Sequence, residues 1–265
     1  MRGSPIPSAT TRPPAGWSGE SRATRWGRDI GPYSARNTSK GALLAEVHAV
    51  FRLLGAGASI AEVQAACLSG RILRQRARET RRQIWNALHH RYFAWNPPRW
   101  VLADLAEAAR GEVTDTRFVG LAYIHYARRD RLTFEFVTDG LAASWRARNV
   151  QVRRDDVLDF LAEREGRETQ VKRWRETTRK KLAGNILSAL RDFGVLDGVR
   201  RKKIRRPGVP PDVALHLWRL LYGEGLRGRA IVEAPDWRLF LWEVEDVRFA
   251  LGGLHLPEDP VGEGR

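Results

Sequence analysis

The chain has 265 residues, a formal net charge of +15 and a pI near 10.9; 43% of its residues are hydrophobic and 29% are charged. That balance predicts a soluble globular protein with room for one large domain or two small ones, and excludes disorder over the whole length. A single cysteine, Cys67, excludes a disulfide framework and a cysteine-based zinc site, and fits a reducing, cytoplasmic setting.

Residues 1–37 are rich in Pro, Gly, Ser, Thr and Arg and show no apolar period. They read as a disordered basic tail, in which Trp17 and Trp26 are out of place. Asn37, Thr38 and Ser39 then offer N-caps for a helix carrying Leu43, Leu44, Val47, Val50, Phe51 and Leu54, stopped by Gly55 and Gly57. Ser59 caps a short helix, Ile60–Cys67. A long helix follows at about Arg71–Phe93, with Ile72, Leu73, Ile84, Trp85, Leu88 and Tyr92 inside and arginines outside. Asn96-Pro97-Pro98 breaks the chain. Trp100–Ala109 and Thr116–Ala127 read as amphipathic helices, the second capped by Thr114 or Asp115. Asp130 caps another, through Phe134, Phe136, Val137, Leu141 and Trp145. Helices joined this tightly predict an all-α N-terminal bundle over residues 38–147.

Arg146–Arg153 reads as a linker into a C-terminal basic helical domain, residues 148–256. Arg154 and Asp155 open a helix ending at Gly166. Thr169 caps the longest helix, Gln170–Phe193, which Gly194 closes. A basic run, Arg200–Lys203, follows the Asp197-Gly198 turn. Pro210-Pro211 starts a helix through Val213, Leu217 and Leu221, Ala230–Glu233 reads as a short strand, and Asp246–Leu251 as a last helix. Residues 257–265 are expected to fray. No stretch approaches the roughly 20 apolar residues of a membrane helix, so no membrane partner is expected.

The charge is clustered. Residues 1–40 carry a net +5, residues 71–91 a net +6 and residues 170–206 a net +10. Clustering of this kind points to a polyanion partner. On a continuous Gln170–Phe193 helix with Trp174 inside, Lys172, Arg173, Arg179 and Lys180 share the outer side. With the preceding helix this has the outline of a helix-turn-helix, and Asp197–Pro207 supplies the wing of a winged helix. The expected phosphate contacts are therefore Lys172, Arg173, Arg179 and Lys180, then Arg200, Arg201, Lys202, Lys203 and Arg205. Arg71, Arg74, Arg78 and Arg82 are spaced by three or four and make a second ridge, with Arg74, Arg78 and Arg82 as its contacts. Charge reversal at Arg179 and Lys180 is expected to weaken binding without lowering thermal stability.

Nothing in the sequence spells a catalytic or metal site, so no cofactor, no metal and no enzyme activity are expected. His89 and His90 are adjacent and point about 100° apart on a helix; His48, His125, His216 and His255 lack a neighbouring acid or histidine at ligand spacing. Asp155, Asp156, Glu243, Glu245 and Asp246 are explained by helix N-termini. Phosphate-loop, zinc-protease and nucleophile-elbow motifs are absent from the sequence.

Three ordered blocks do carry a family likeness. The first is Lys40–Leu44 with Glu46, Leu53–Gly55 and the Arg-rich stretch from Leu73 to Arg91. The second runs from Leu121 to Phe136, with Tyr126, Arg129 and Asp130. The third holds Asp155, Asp156, Phe160, Leu161, Trp174, Thr177, Thr178, Lys181, Leu182, Ile186, Leu187 and Phe193–Leu196. In this the chain resembles the BrxA family of bacterial BREX phage-exclusion systems. The resemblance implies a mainly helical two-part protein with an N-terminal bundle like the NusB antitermination fold. It also implies binding of double-stranded DNA without catalysis, and other BREX proteins as partners. The alternatives are an adaptor docking acidic surfaces of other defence proteins, and an RNA-binding protein.

Overall fold

A computed structural model describes residues 26–38 and 40–256. The protein is mainly helical, with one small sheet. A 3-10 turn, Arg36–Thr38, precedes α1 (Leu44–Gly55), α2 (Ile60–Ser69), α3 (Arg78–Tyr92), α4 (Arg99–Ala108) and α5 (Thr116–Arg128). Next comes one continuous helical stretch: α6 (Arg131–Glu135), a π-helical segment (Phe136–Leu141) and α7 (Ala142–Arg146). Strand β1 (Gln151–Val152) leads into α8 (Arg154–Arg164), α9 (Thr169–Arg173) and α10 (Glu176–Asp192). Strands β2 (Leu196–Asp197) and β3 (Lys202–Ile204) follow, then α11 (Pro211–Gly223), α12 (Arg229–Val232), a 3-10 turn Pro235–Phe240 and α13 (Val244–Gly252).

Local signals set most of these boundaries. Ser59 and Glu62 form a reciprocal capping box on α2. Asp115 accepts from the Arg117 amide at α5, and Asp130 from the Thr133 amide at α6. Asp246 accepts from the Glu243 amide at α13. Gly194, at φ 77°, closes α10 in the left-handed conformation that glycine adopts without steric penalty. The interior is one contiguous apolar cluster running from Trp26 to Leu251, so the bundle and the C-terminal part share a core.

Several expectations need correction. The first helix starts at Leu44, not at the Asn37–Ser39 caps. Asn37 is buried: its amide donates to Asp130 Oδ2 (2.7 Å), and its Oδ1 accepts from Arg91 (2.9 Å). Residues 26–37 are not tail but a strap laid on the body. Trp26 and Tyr33 are buried, and the Asp29 amide donates to the Arg128 carbonyl at 2.7 Å. Trp17 and the rest of the expected tail, like Pro257–Arg265, lie outside the described residues. The Arg71–Phe93 helix begins only at Arg78. Arg81 reaches back to the carbonyls of Leu68, Gln75 and Arg76 and holds residues 70–77 as a loop. The expected linker contains β1. The expected strand Ala230–Glu233 is instead the end of the single helical turn α12, closed by the Glu233 amide donating to the Arg229 carbonyl at 3.0 Å.

The Gln170–Phe193 helix is two helices. Trp174 and Arg175 are extended, at ψ 130° and 151°, and separate α9 from α10. The apolar period runs through the break because Val171 and Leu182 both reach the core. Thr169 does not cap α9. The cap position is Glu168, whose buried carboxylate turns inward to the Tyr33 amide and Arg131.

Candidate functional site

A positive surface is built by α8, α9, α10 and the three-stranded sheet. The strands run in the order β1-β3-β2, all antiparallel, with Gln151 opposite Lys203 and Leu196 opposite Ile204. Val152, Leu196 and Ile204 are buried and fix the sheet to the core, which leaves Lys203 outside. The turn between β2 and β3 is forced by Gly198. Its φ is 88°, and a Cβ there would sit 2.1 Å from the Arg201 carbonyl oxygen.

Helix α10 packs its Leu182, Ile186 and Leu190 face inward, with α8 against it. The strap also crosses this helix: Asn185 donates to the Asn37 carbonyl at 3.0 Å. The middle of α10 is therefore covered, and its open part is the first half, together with the α9–α10 turn.

The expected contacts divide into two groups. Lys172 and Arg173 in the turn, and Arg200, Arg201, Lys203 and Arg205 around the hairpin, are exposed and make no ion pair among the described residues. Arg74 and Arg78 are likewise exposed and unpaired, but Arg74 lies in the loop ahead of α3, so the expected four-arginine ridge does not form. The other residues are engaged internally. Arg179 pairs with Glu165 at the end of α8 and donates to the Val171 carbonyl at 2.8 Å, which ties three helices at their junction. Lys180 pairs with Glu176 one turn earlier, and Arg82 grips Glu79 with two hydrogen bonds of 2.8 Å. The Lys202 ammonium bonds the Val199 carbonyl at 2.7 Å. Burial, then the charges of Arg191 and Arg154, hold it below its usual lysine value.

The helical reading passed over two further cations. Arg175 stands at the N-cap of α10 and Lys181 on its open half, both exposed and without an ion pair among the described residues. Only the break at Trp174 reveals Arg175 as part of the turn.

The histidines give a second polar feature. His125 and His216 face each other through Nε2 atoms 2.9 Å apart, and His216 Nδ1 lies 2.7 Å from Asp104. Both rings are buried, and burial drives both below the ordinary histidine value. This chain joins α4, α5 and α11, whose residues are far apart in sequence, so spacing gave no sign of it. Its rings are out of reach of solvent, so the arrangement ties helices together. Cys67 is core, and burial raises its thiol to about 11. Among the described residues no group of three or more side chains is placed to hold a metal ion, and no helix is long and apolar enough to cross a membrane.

Comparison with known proteins agrees with this fold. A search of curated proteins returned no match. Among solved structures, the crystal structure of an uncharacterized protein from Magnetospirillum magneticum superposes with a TM-score of 0.59 at 14% identity. The match covers 80% of this chain and all of the other. That likeness concerns the fold alone. Residues 31–220, most of the chain and all three blocks of sequence likeness, match the model of the BrxA family, and the chain belongs to that family.

Proposed function

We propose that the protein is a DNA-binding component of a BREX anti-phage system, working in the cytoplasm beside other BREX proteins and without catalysis of its own. The observation that carries this reading is the set of unpaired cations placed at both ends of α10. Lys172, Arg173 and Arg175 flank its start, and Arg200, Arg201 and Lys203 stand on the hairpin beyond its end. The order β1, α8, α9–α10, β2, β3 supports a winged-helix reading in which α10 is the helix offered to the duplex. The part of α10 offered is its first half, which the strap leaves open beside Lys172, Arg173 and Arg175.

The contacts so placed serve phosphates. Arginine's forked donors suit that task, but nothing on the open half of α10 forms a base-reading set, so little or no sequence specificity is expected. Six to eight phosphate contacts make affinity fall by about 10³ or more between low and moderate salt.

The test is fluorescence anisotropy with labelled duplex DNA across a salt series, beside single-stranded DNA and duplex RNA of equal length. The expected result is duplex-DNA preference, a steep salt slope, and at least a tenfold loss in the variant Lys172→Glu/Arg173→Glu/Arg175→Glu at unchanged melting temperature. Duplex binding that survives the triple reversal unaltered overturns the assignment. Binding to protein partners but to no nucleic acid would instead make the cations docking groups for acidic proteins. Preference for duplex RNA would favour the RNA-binding alternative.

A further inference from the structure

A groove of about 570 Å³ opens where the bundle meets the C-terminal part, between the start of α1, the loop before α5, α5 itself, the end of α10 and the segment after β3. Its accessible floor is aliphatic, formed by the half-buried Leu44, Val113 and Val119, over a cluster of buried rings. Tyr123 stands 5.2 Å from Phe193 and 5.9 Å from Phe240 between ring centroids, and Val119 lies beside them. The Tyr123 hydroxyl is already committed to the Leu239 carbonyl, so the floor offers little but apolar surface.

The rim has the opposite character. Arg191 and Arg205 line it, and Asp192 is its only carboxylate. Asp192 is bound to Arg191, whereas Arg205 is exposed and has no ion pair among the described residues. Lys202, which feels the charges of both Arg191 and Arg154, adds positive charge behind the same edge. A volume within the range of small-ligand pockets, an apolar floor and two rim arginines, of which Arg205 is unpaired among the described residues, define a chemistry: a flat or chain-like apolar body ending in an acid.

We propose that this groove binds a small amphipathic anion, an aromatic or acyl carboxylate or sulfonate, with its apolar part against Leu44, Val113 and Val119 above the buried Tyr123, Phe193 and Phe240 rings, and its acid at Arg205 and Arg191. The site shares Arg205 with the expected phosphate contacts but none of the cations at the start of α10, and its occupancy is read without nucleic acid. It therefore succeeds or fails independently of the DNA-binding reading.

A single glycine makes the site testable. Gly208 lines the groove, and a Cβ built on it meets no atom within 4 Å, so a large side chain is accommodated at the groove's edge without displacing the backbone. The probes are anilinonaphthalene sulfonate, an apolar body with an acid, and phenylnaphthylamine, nearly the same body without one. Both brighten when shielded from water, and each is titrated into the full chain. The sulfonate is expected to bind one site per chain more tightly than the neutral probe. Gly208→Phe is expected to weaken both by about tenfold. Arg191→Gln/Arg205→Gln is expected to weaken the sulfonate about five- to tenfold and the neutral probe less than twofold. Equal losses for the two probes in the arginine variant overturn the anion assignment. Unchanged binding in Gly208→Phe, or binding abolished instead by Phe249→Ser in the separate apolar groove on α13, overturns the site. The arginine pair is at the surface, so that arm stands even where the glycine variant folds poorly.

Discussion

Replacing Arg128 by methionine tests how the strap is held. The Arg128 side chain is fully buried. It is paired with Asp236, also fully buried, and with Glu224, and it donates to the Trp26 carbonyl at 3.1 Å. Methionine fills much of the volume but supplies no donor. Among the described residues Asp236 would keep Arg28, 3.4 Å away on a side chain 32% exposed, and the Trp26 carbonyl would lose the Arg128 donor. Breaking a buried pair by removing one member leaves an uncompensated charge and costs about 3–5 kcal/mol. For a protein of this size that is a fall in Tm on the order of 10 °C. Urea and thermal unfolding followed by circular dichroism measure it. The paired variant Arg128→Met/Asp236→Asn removes the stranded carboxylate and should recover at least 1 kcal/mol relative to the sum of its single changes. A loss below 1 kcal/mol in Arg128→Met would refute the reasoning, because the network would then not be what holds these elements together.

Other outcomes follow from the same geometry. Gly223→Ala places a Cβ 2.4 Å from the Trp26 ring; despite alanine's helix propensity it should destabilise the protein and speed tryptic cleavage at Arg28 and Arg36. His90 is held at about 4, first by burial and then by Arg36 and Arg129, and His125 and His216 are also depressed. The folded state then binds fewer protons than the unfolded state below about pH 6.5, so stability is complete above that pH and falls as pH drops toward 4. In His90→Gln the fall should be shallower by up to one proton, about 1.4 kcal/mol per pH unit, and an unchanged slope in urea unfolding would count against it. Arg179→Ala removes the pair with Glu165 and the bond to Val171, and should cost about 1–2 kcal/mol after allowance for partial exposure. Lys172→Glu/Arg173→Glu should leave stability unchanged, and a stable Arg179→Ala would show that the junction does not depend on it.

That last contrast reverses an expectation drawn from spacing, and shows what the sequence could and could not carry. Local grammar was legible wherever a partner lies within a few residues. Ser59 with Glu62, Asp115, Asp130, Gly194 and the proline at the head of α11 all act where the sequence places them. The helical character and the segment around α8–α10 with its hairpin were likewise readable from apolar period and turn residues. Interruptions were not. Trp174 and Arg78 both sit in runs whose apolar period continues across the boundary, and at each boundary a side chain reaches back over it: Arg179 to Glu165, Arg81 to the Leu68 carbonyl. Period measures which face is buried, not whether the backbone between two buried residues stays helical. The same limit applies to charge. Lys172 and Arg179 look alike in sequence, yet one is unpaired in solvent and the other is consumed within the fold, and only the position of Glu165 decides which.

The strap also bears on how the chain is made. Its partners include Arg91, Arg128, Asp130, Glu168, Asn185 and Asp236, and the contact between Arg28 and Asp236 spans 208 positions. During synthesis residues 26–38 leave the ribosome long before most of what they rest on. At about 5–20 residues per second the interval before Asp236 exists is roughly 10–40 s. Through that interval Trp26 and Tyr33 have no finished surface to cover, and the groove they will occupy stays open. Loop closure over such separations also slows folding after release. The segment made early is thus seated late, which makes its docking a natural point for chaperone engagement and for sensitivity to mutations that leave the mature fold intact.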